Sequence, residues 1–86
     1  MATRKRQTKR AAPGRSYTVY FVPDSQTGGY TAHIPALGIV TEGETLRETR
    51  QMARDAIEGY LEAAKELGRR VPPDVTVAVE LVEVSA

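Results

Sequence analysis

The residues able to do chemistry in this 86-residue chain are few: a single histidine, His33, and the scattered carboxylates Asp24, Glu42 and Asp55. A catalytic histidine needs a nucleophile or a second titrating group held beside it. The three serines stand at Ser16, Ser25 and Ser85, and no G-x-S-x-G elbow is present. His33 therefore reads as an exposed strand residue. The three carboxylates could build a magnesium site, and with it a residual metal-dependent nuclease. Their settings argue for plainer roles, since Asp24 falls in a turn, Glu42 at a strand end and Asp55 on an exposed helix face. With one histidine and no cysteine, most zinc architectures, disulfides and thiol catalysis drop out together. Gly28-Gly29 lacks the spacing and the lysine of a phosphate loop and precedes a strand. The expectation is a non-enzymatic chain with no catalytic, metal or cofactor-binding residue.

Charge is more informative than any motif so far. Six bases and no acid lie in residues 1–16, among them Arg4, Lys5, Arg6, Lys9 and Arg10, whereas residues 17–86 hold six bases against eleven acids, net −5. An acidic body thus follows a basic arm. A like-charged block without apolar periodicity is expected to be disordered, and could give a weak nucleic-acid contact through counterion release. No aromatic residue interleaves the arm's charges, so base stacking is not indicated. No apolar run follows the arm, which argues against a secretion signal. The longest uncharged stretch, Ser25–Thr41, is broken by glycine and proline and does not read as a membrane span. The expected compartment is the cytoplasm.

The elements that would position these residues follow from periodicity. Tyr17–Val22 is β-branched and aromatic, with Tyr17, Val19 and Phe21 on one face and Tyr20 and Val22 on the other. Two apolar faces indicate a central strand, or one whose second face a partner covers. The turn residues of PDSQTGG lead to a second strand, GYTAHI, in which Tyr30, Ala32 and Ile34 share a face and Thr31 and His33 take the other. Pro35 to Gly38 make a break before a third strand, Gly38–Glu42. Thr45-Leu46-Arg47-Glu48 fits a helix capping box. Leu46, Thr49, Ala53, Ala56, Ile57, Tyr60, Leu61, Ala64 and Leu67 then form one helical stripe, ended by Gly68 and Pro72-Pro73. Val75–Val84 reads as a last strand. The order is β-β-β-α-β: an α+β fold, one antiparallel sheet with one helix on one face. So long an apolar strand invites aggregation unless paired. A homodimer or tetramer formed through Val75–Val84 is expected, the more so because a core this small is marginal alone.

The run Tyr17–Val22, followed by Pro23-Asp24, Gly28-Gly29-Tyr30, Ile34–Gly38, Thr41–Leu46, Ala53-x-x-Ala56-Ile57, Tyr60-Leu61 and Val71-Pro72, resembles the HicB-like antitoxin family. Ile39 departs from that pattern, in which cysteine often follows the glycine. The resemblance covers nearly all of residues 17–86 and implies a truncated ribonuclease-H-like domain. It also implies a function, that of an antitoxin masking a small basic HicA-type ribonuclease toxin; many members of that family continue into a C-terminal DNA-binding domain, and operator recognition is not carried over to this sequence. On this reading Asp24, Gly28, Gly29, Tyr30, Pro35, Leu37 and Gly38 are framework residues that also touch the partner. Glu58, Glu62 and Glu66 form a second, acidic docking row. The alternative is a stand-alone nucleic-acid-associated module working through its basic arm.

Overall fold

The computed structural model describes residues 15–85. Arg4, Lys5, Arg6, Lys9 and Arg10 therefore lie outside the described residues. Three antiparallel strands, β1 (Tyr20–Pro23), β2 (Tyr30–Ile34) and β3 (Ile39–Gly43), precede one helix, α1 (Leu46–Glu66). The fold is α+β, as the residue pattern indicates. β2 is the middle strand. Its register sets Tyr20 opposite His33 and Pro23 opposite Tyr30 on one side, and Ile34 opposite Ile39 and Tyr30 opposite Gly43 on the other.

β1 is shorter than its sequence implies and lies at an edge of the three-stranded sheet, not at its centre. Its apolar second face is not a sign of central position: Tyr20 and Val22 are exposed. Pro23 suits the last position of such a strand because it has no N–H to donate to a ladder. Alternation along the strands then sorts the faces. Phe21, Ala32, Ile34 and Ile39 turn toward α1, whereas Tyr20, Val22, Thr31, His33 and Val40 turn away. Ala32, Ile34 and Ala53 form the buried centre, with Tyr17, Val19, Leu37 and Ile57 packed around it. Alanine on both sheet and helix lets the two layers approach closely over Ile34.

The helix ends follow local chemistry. Thr45 Oγ1 accepts from the Glu48 N–H at 3.0 Å, and Glu48 Oε1 accepts from the Glu44 N–H at 2.7 Å. The return bond of the capping box therefore reaches one residue further back than the usual pattern. Thr49, fully buried, donates its hydroxyl to the Thr45 carbonyl at 2.7 Å, which satisfies the polar group without a partner outside the helix. At the far end Gly68 takes φ 67. Its N–H reaches the Lys65 carbonyl and that of Arg69 reaches the Ala64 carbonyl, the paired closure that a left-handed residue permits.

One expected element is missing. Among the described residues, Arg69–Ser85 contains no helix or strand, so the strand expected over Val75–Val84 does not form within this chain. Its root is nonetheless held. Tyr17 Oη donates to the Pro72 carbonyl at 2.6 Å, and the Asp74 carboxylate accepts from the Thr18 N–H at 2.8 Å and hydroxyl at 2.6 Å. Beyond Asp74, Val77 is still half-buried and residues 78–85 are exposed, Val79 by 87% and Leu81 by 97%. Strand propensity is realised only where a neighbouring ladder and a packed face receive the side chains. The second half of α1 is covered only in part: Ala64 is buried, Ile57, Tyr60 and Leu61 are half-buried, and Leu67, on the apolar stripe by spacing, is exposed.

Candidate functional site

The β1–β2 loop folds back on itself through Asp24. The Asp24 N–H donates to the Gly29 carbonyl at 2.7 Å, and the Gly28 N–H donates to the Asp24 carbonyl at 2.8 Å. Asp24 Oδ1 also accepts from the N–H groups of Gln26 at 2.9 Å and Thr27 at 3.3 Å. These donors, Gln26 first and then Thr27, hold the Asp24 carboxyl below the ordinary aspartate range. Gly29 is buried where two backbones meet, and a Cβ there would run into the Gly43 carbonyl oxygen. That close approach draws the loop against the end of β3 and the start of α1.

The result is a recess lined by Asp24, Thr27, Gly29, Tyr30, Thr31, Glu42, Gly43, Glu44 and Glu48. It carries four carboxylates and no base. Asp24 and Glu48 are partly engaged by backbone N–H groups; among the described residues, no hydrogen bond takes up the carboxylate of Glu42 or Glu44. The Gln26 and Thr27 N–H groups favour the charged form of Asp24, and the lining sets four acids together with no base among them. No group of three His, Cys, Asp or Glu able to hold a metal ion occurs among the described residues. The carboxylates considered for magnesium are split: Asp24 and Glu42 line the recess, whereas Asp55 lies on α1 and accepts from Gln51 Nε2 at 2.9 Å.

Of the residues singled out from sequence, the structure brings together Asp24, Gly29 and Tyr30, with Gly28 beside them in the loop. Pro35, Leu37 and Gly38 belong to the β2–β3 turn, where the N–H groups of Leu37 and Gly38 reach the Ile34 carbonyl. That turn is at the opposite end of β2, five residues and roughly 13 Å of strand away. Glu58, Glu62 and Glu66 form an exposed row along α1. Glu44 and Glu48 escape a motif search because their roles are assigned piecemeal, as linker and cap, and Glu42 enters it only as a magnesium candidate. The density of acid in Glu42–Glu48 was the available signal.

His33 lies on the open face of the sheet. Its ring stacks on Tyr20 with centroids 4.6 Å apart and planes 4° apart, and its Nε2 is 3.1 Å from Thr31 Oγ1. Cross-strand stacking accounts for the residue structurally. Among the described residues, no helix is long and apolar enough to cross a membrane.

Fold and site together define a small α+β module, three antiparallel strands under one helix, with an anionic recess where the β1–β2 loop meets the helix start. The chain belongs to the UPF0150 family. It is 36% identical to a UPF0150 protein of Thermoplasma acidophilum over 59 residues, 67% of this chain and 84% of that protein. It is 33% identical to a UPF0150 protein of Thermotoga maritima over 63 residues, 71% of this chain and 90% of that one. No family model matches the chain, and no solved structure matches it.

Proposed function

We propose that this chain is a non-enzymatic, HicB-like antitoxin that neutralises a small basic HicA-type ribonuclease by covering its RNA-binding surface. The observation that carries the reading is the recess of four carboxylates without a base among its lining residues, set on a body of net charge −5. A ribonuclease binds RNA through arginine and lysine. The carboxylates offer those side chains acceptors in place of phosphate, and guanidinium groups pair with carboxylates through two parallel hydrogen bonds. Complementary charge also speeds encounter and fixes orientation. The motifs Pro23-Asp24, Gly28-Gly29-Tyr30 and Thr41–Leu46, on which the HicB resemblance rests, are largely the ones that build this recess. Such a partner acts in the cytoplasm, and the recess needs no metal or cofactor to oppose it.

The test is recovery of proteins bound to the tagged chain in its native cells, followed by RNA cleavage by the small basic protein recovered, with and without added chain. Equimolar chain should suppress cleavage. The double substitution Glu42→Lys/Glu44→Lys should raise the concentration needed about 100-fold or more, since it replaces attraction with like-charge opposition. Cleavage indifferent to the chain, or suppression indifferent to the double substitution, would refute the reading.

A further inference from the structure

We infer that the open face of the sheet around Tyr20 and His33 is a stacking site for a base of single-stranded nucleic acid, whose phosphates the basic arm neutralises. This conclusion is independent of the antitoxin reading. One row of side chains crosses that face, since the register sets Tyr20 opposite His33 and His33 opposite Val40. Tyr20 is 41% and Val40 61% exposed. The rings of Tyr20 and His33 are parallel within 4°, their centroids 4.6 Å apart, so each covers one face of the other. β1 is an edge strand, and among the described residues no ring covers the outer face of Tyr20. The stack is open at that end.

An open stack of this kind suits a flat uncharged ring. A base added beside Tyr20 becomes the third member, and the contact is tolerant of sequence because every base has a π-face. The receiving rings are held beforehand: Thr31 Oγ1 lies 3.1 Å from His33 Nε2, and the imidazole in turn steadies Tyr20. Little side-chain freedom is therefore lost on binding. A base inside a duplex has both faces covered by its neighbours, whereas an unpaired base can be splayed onto an aromatic ring. The site accordingly selects single strands.

A stacked base brings phosphates, which need cations. The sheet face has none of its own: by alternation its one charged side chain is Glu42, placed opposite Thr31 and two residues along β2 from His33. The cations lie upstream of β1. Arg15 precedes Tyr20 by five residues, and Arg10, Lys9, Arg6, Lys5 and Arg4 come before it. The ten residues from Arg10 to Tyr20 span up to ~33 Å at about 3.3 Å each, enough to follow the phosphates on either side of the stacked base. The arm supplies affinity by counterion release, and the ring supplies the preference for unpaired bases.

The experiment measures binding of the full-length chain to a single-stranded DNA of about twelve nucleotides in mixed sequence, and to its duplex, at one fixed low salt concentration. Tyr20→Ala should weaken single-strand binding about 10-fold or more and leave duplex binding unchanged, and Tyr20→Phe should retain both. Its far-UV circular dichroism should match the parent, because Tyr20 stands outside the buried centre. His33 is the only histidine, so its ring protons report on the stack without ambiguity; the single strand should shift them and the duplex should not. Absence of single-strand binding, an affinity indifferent to Tyr20→Ala, an equal loss for the duplex, or unmoved His33 protons would overturn the inference.

Discussion

Truncating Ile34 to alanine is the sharpest probe of how this fold is held. Ile34 is fully buried and is the largest apolar side chain so enclosed. Its neighbours in the buried centre are Ala32 and Ala53, whose short side chains cannot swing inward to close a hole. Loss of three carbon atoms removes about 2.4 kcal/mol of transfer free energy at ~0.8 kcal/mol per methylene. Incomplete closure of the cavity adds to this, within the range of about 2–5 kcal/mol found for Ile to Ala. About 3 kcal/mol is expected, which in a domain of this size lowers Tm by roughly 12–24 °C. The assay is thermal unfolding followed by far-UV circular dichroism at one fixed protein concentration, because association would shift the midpoint. Ile34→Val should lose only about 1 kcal/mol. Val40→Ala, on the opposite face and 61% exposed, should stay within about 0.5 kcal/mol of the parent. A drop below ~4 °C for Ile34→Ala, or an equal drop for Val40→Ala, would refute the assignment of faces.

The remaining predictions are local. Thr45→Ala removes the acceptor for the Glu48 N–H and should cost about 1 kcal/mol; Thr45→Ser should restore most of it in the same unfolding assay. The Asp74 carboxyl is held below the ordinary aspartate range by the Thr18 hydroxyl and then its N–H, as Asp24 is by its loop N–H groups. Both favour the charged form in the folded chain, so their stabilisation is complete above the ordinary aspartate pKa and is lost as pH falls through the lowered folded values. Tm should accordingly be flat near neutrality and fall below about pH 4, with a shallower acid limb in Asp74→Asn; an identical limb in that variant would remove Asp74 from the account. Finally, duplex DNA binding by the full chain should weaken with salt at a log–log slope of about −5 and vanish on removal of residues 1–16. Equal binding by the truncated chain would place the contact on the acidic body instead.

Local chemistry was readable without the structure wherever neighbours in sequence are also neighbours in space. The helix start at Thr45-Leu46-Arg47-Glu48 is written in four residues because its hydrogen bonds close within one turn. The left-handed Gly68 and the separation of Ala32 and Ile34 from Thr31 and His33 follow from the same short-range rules. They cover most of the three-strand, one-helix order. Three things were decided only in three dimensions. The position of β1 depends on which strands pair, and composition alone left it either central or covered by a partner on its second face. The fate of Val75–Val84 depends on whether an edge receives it, so a segment with every strand feature stands exposed. The recess gathers Asp24 with Glu42, Glu44 and Glu48 across a loop, a strand and a helix start. The chain's residue types and turn chemistry determine its elements, whereas long-range pairing decides which surfaces those elements leave bare, because a strand's edge and a shared charge exist only once distant segments meet.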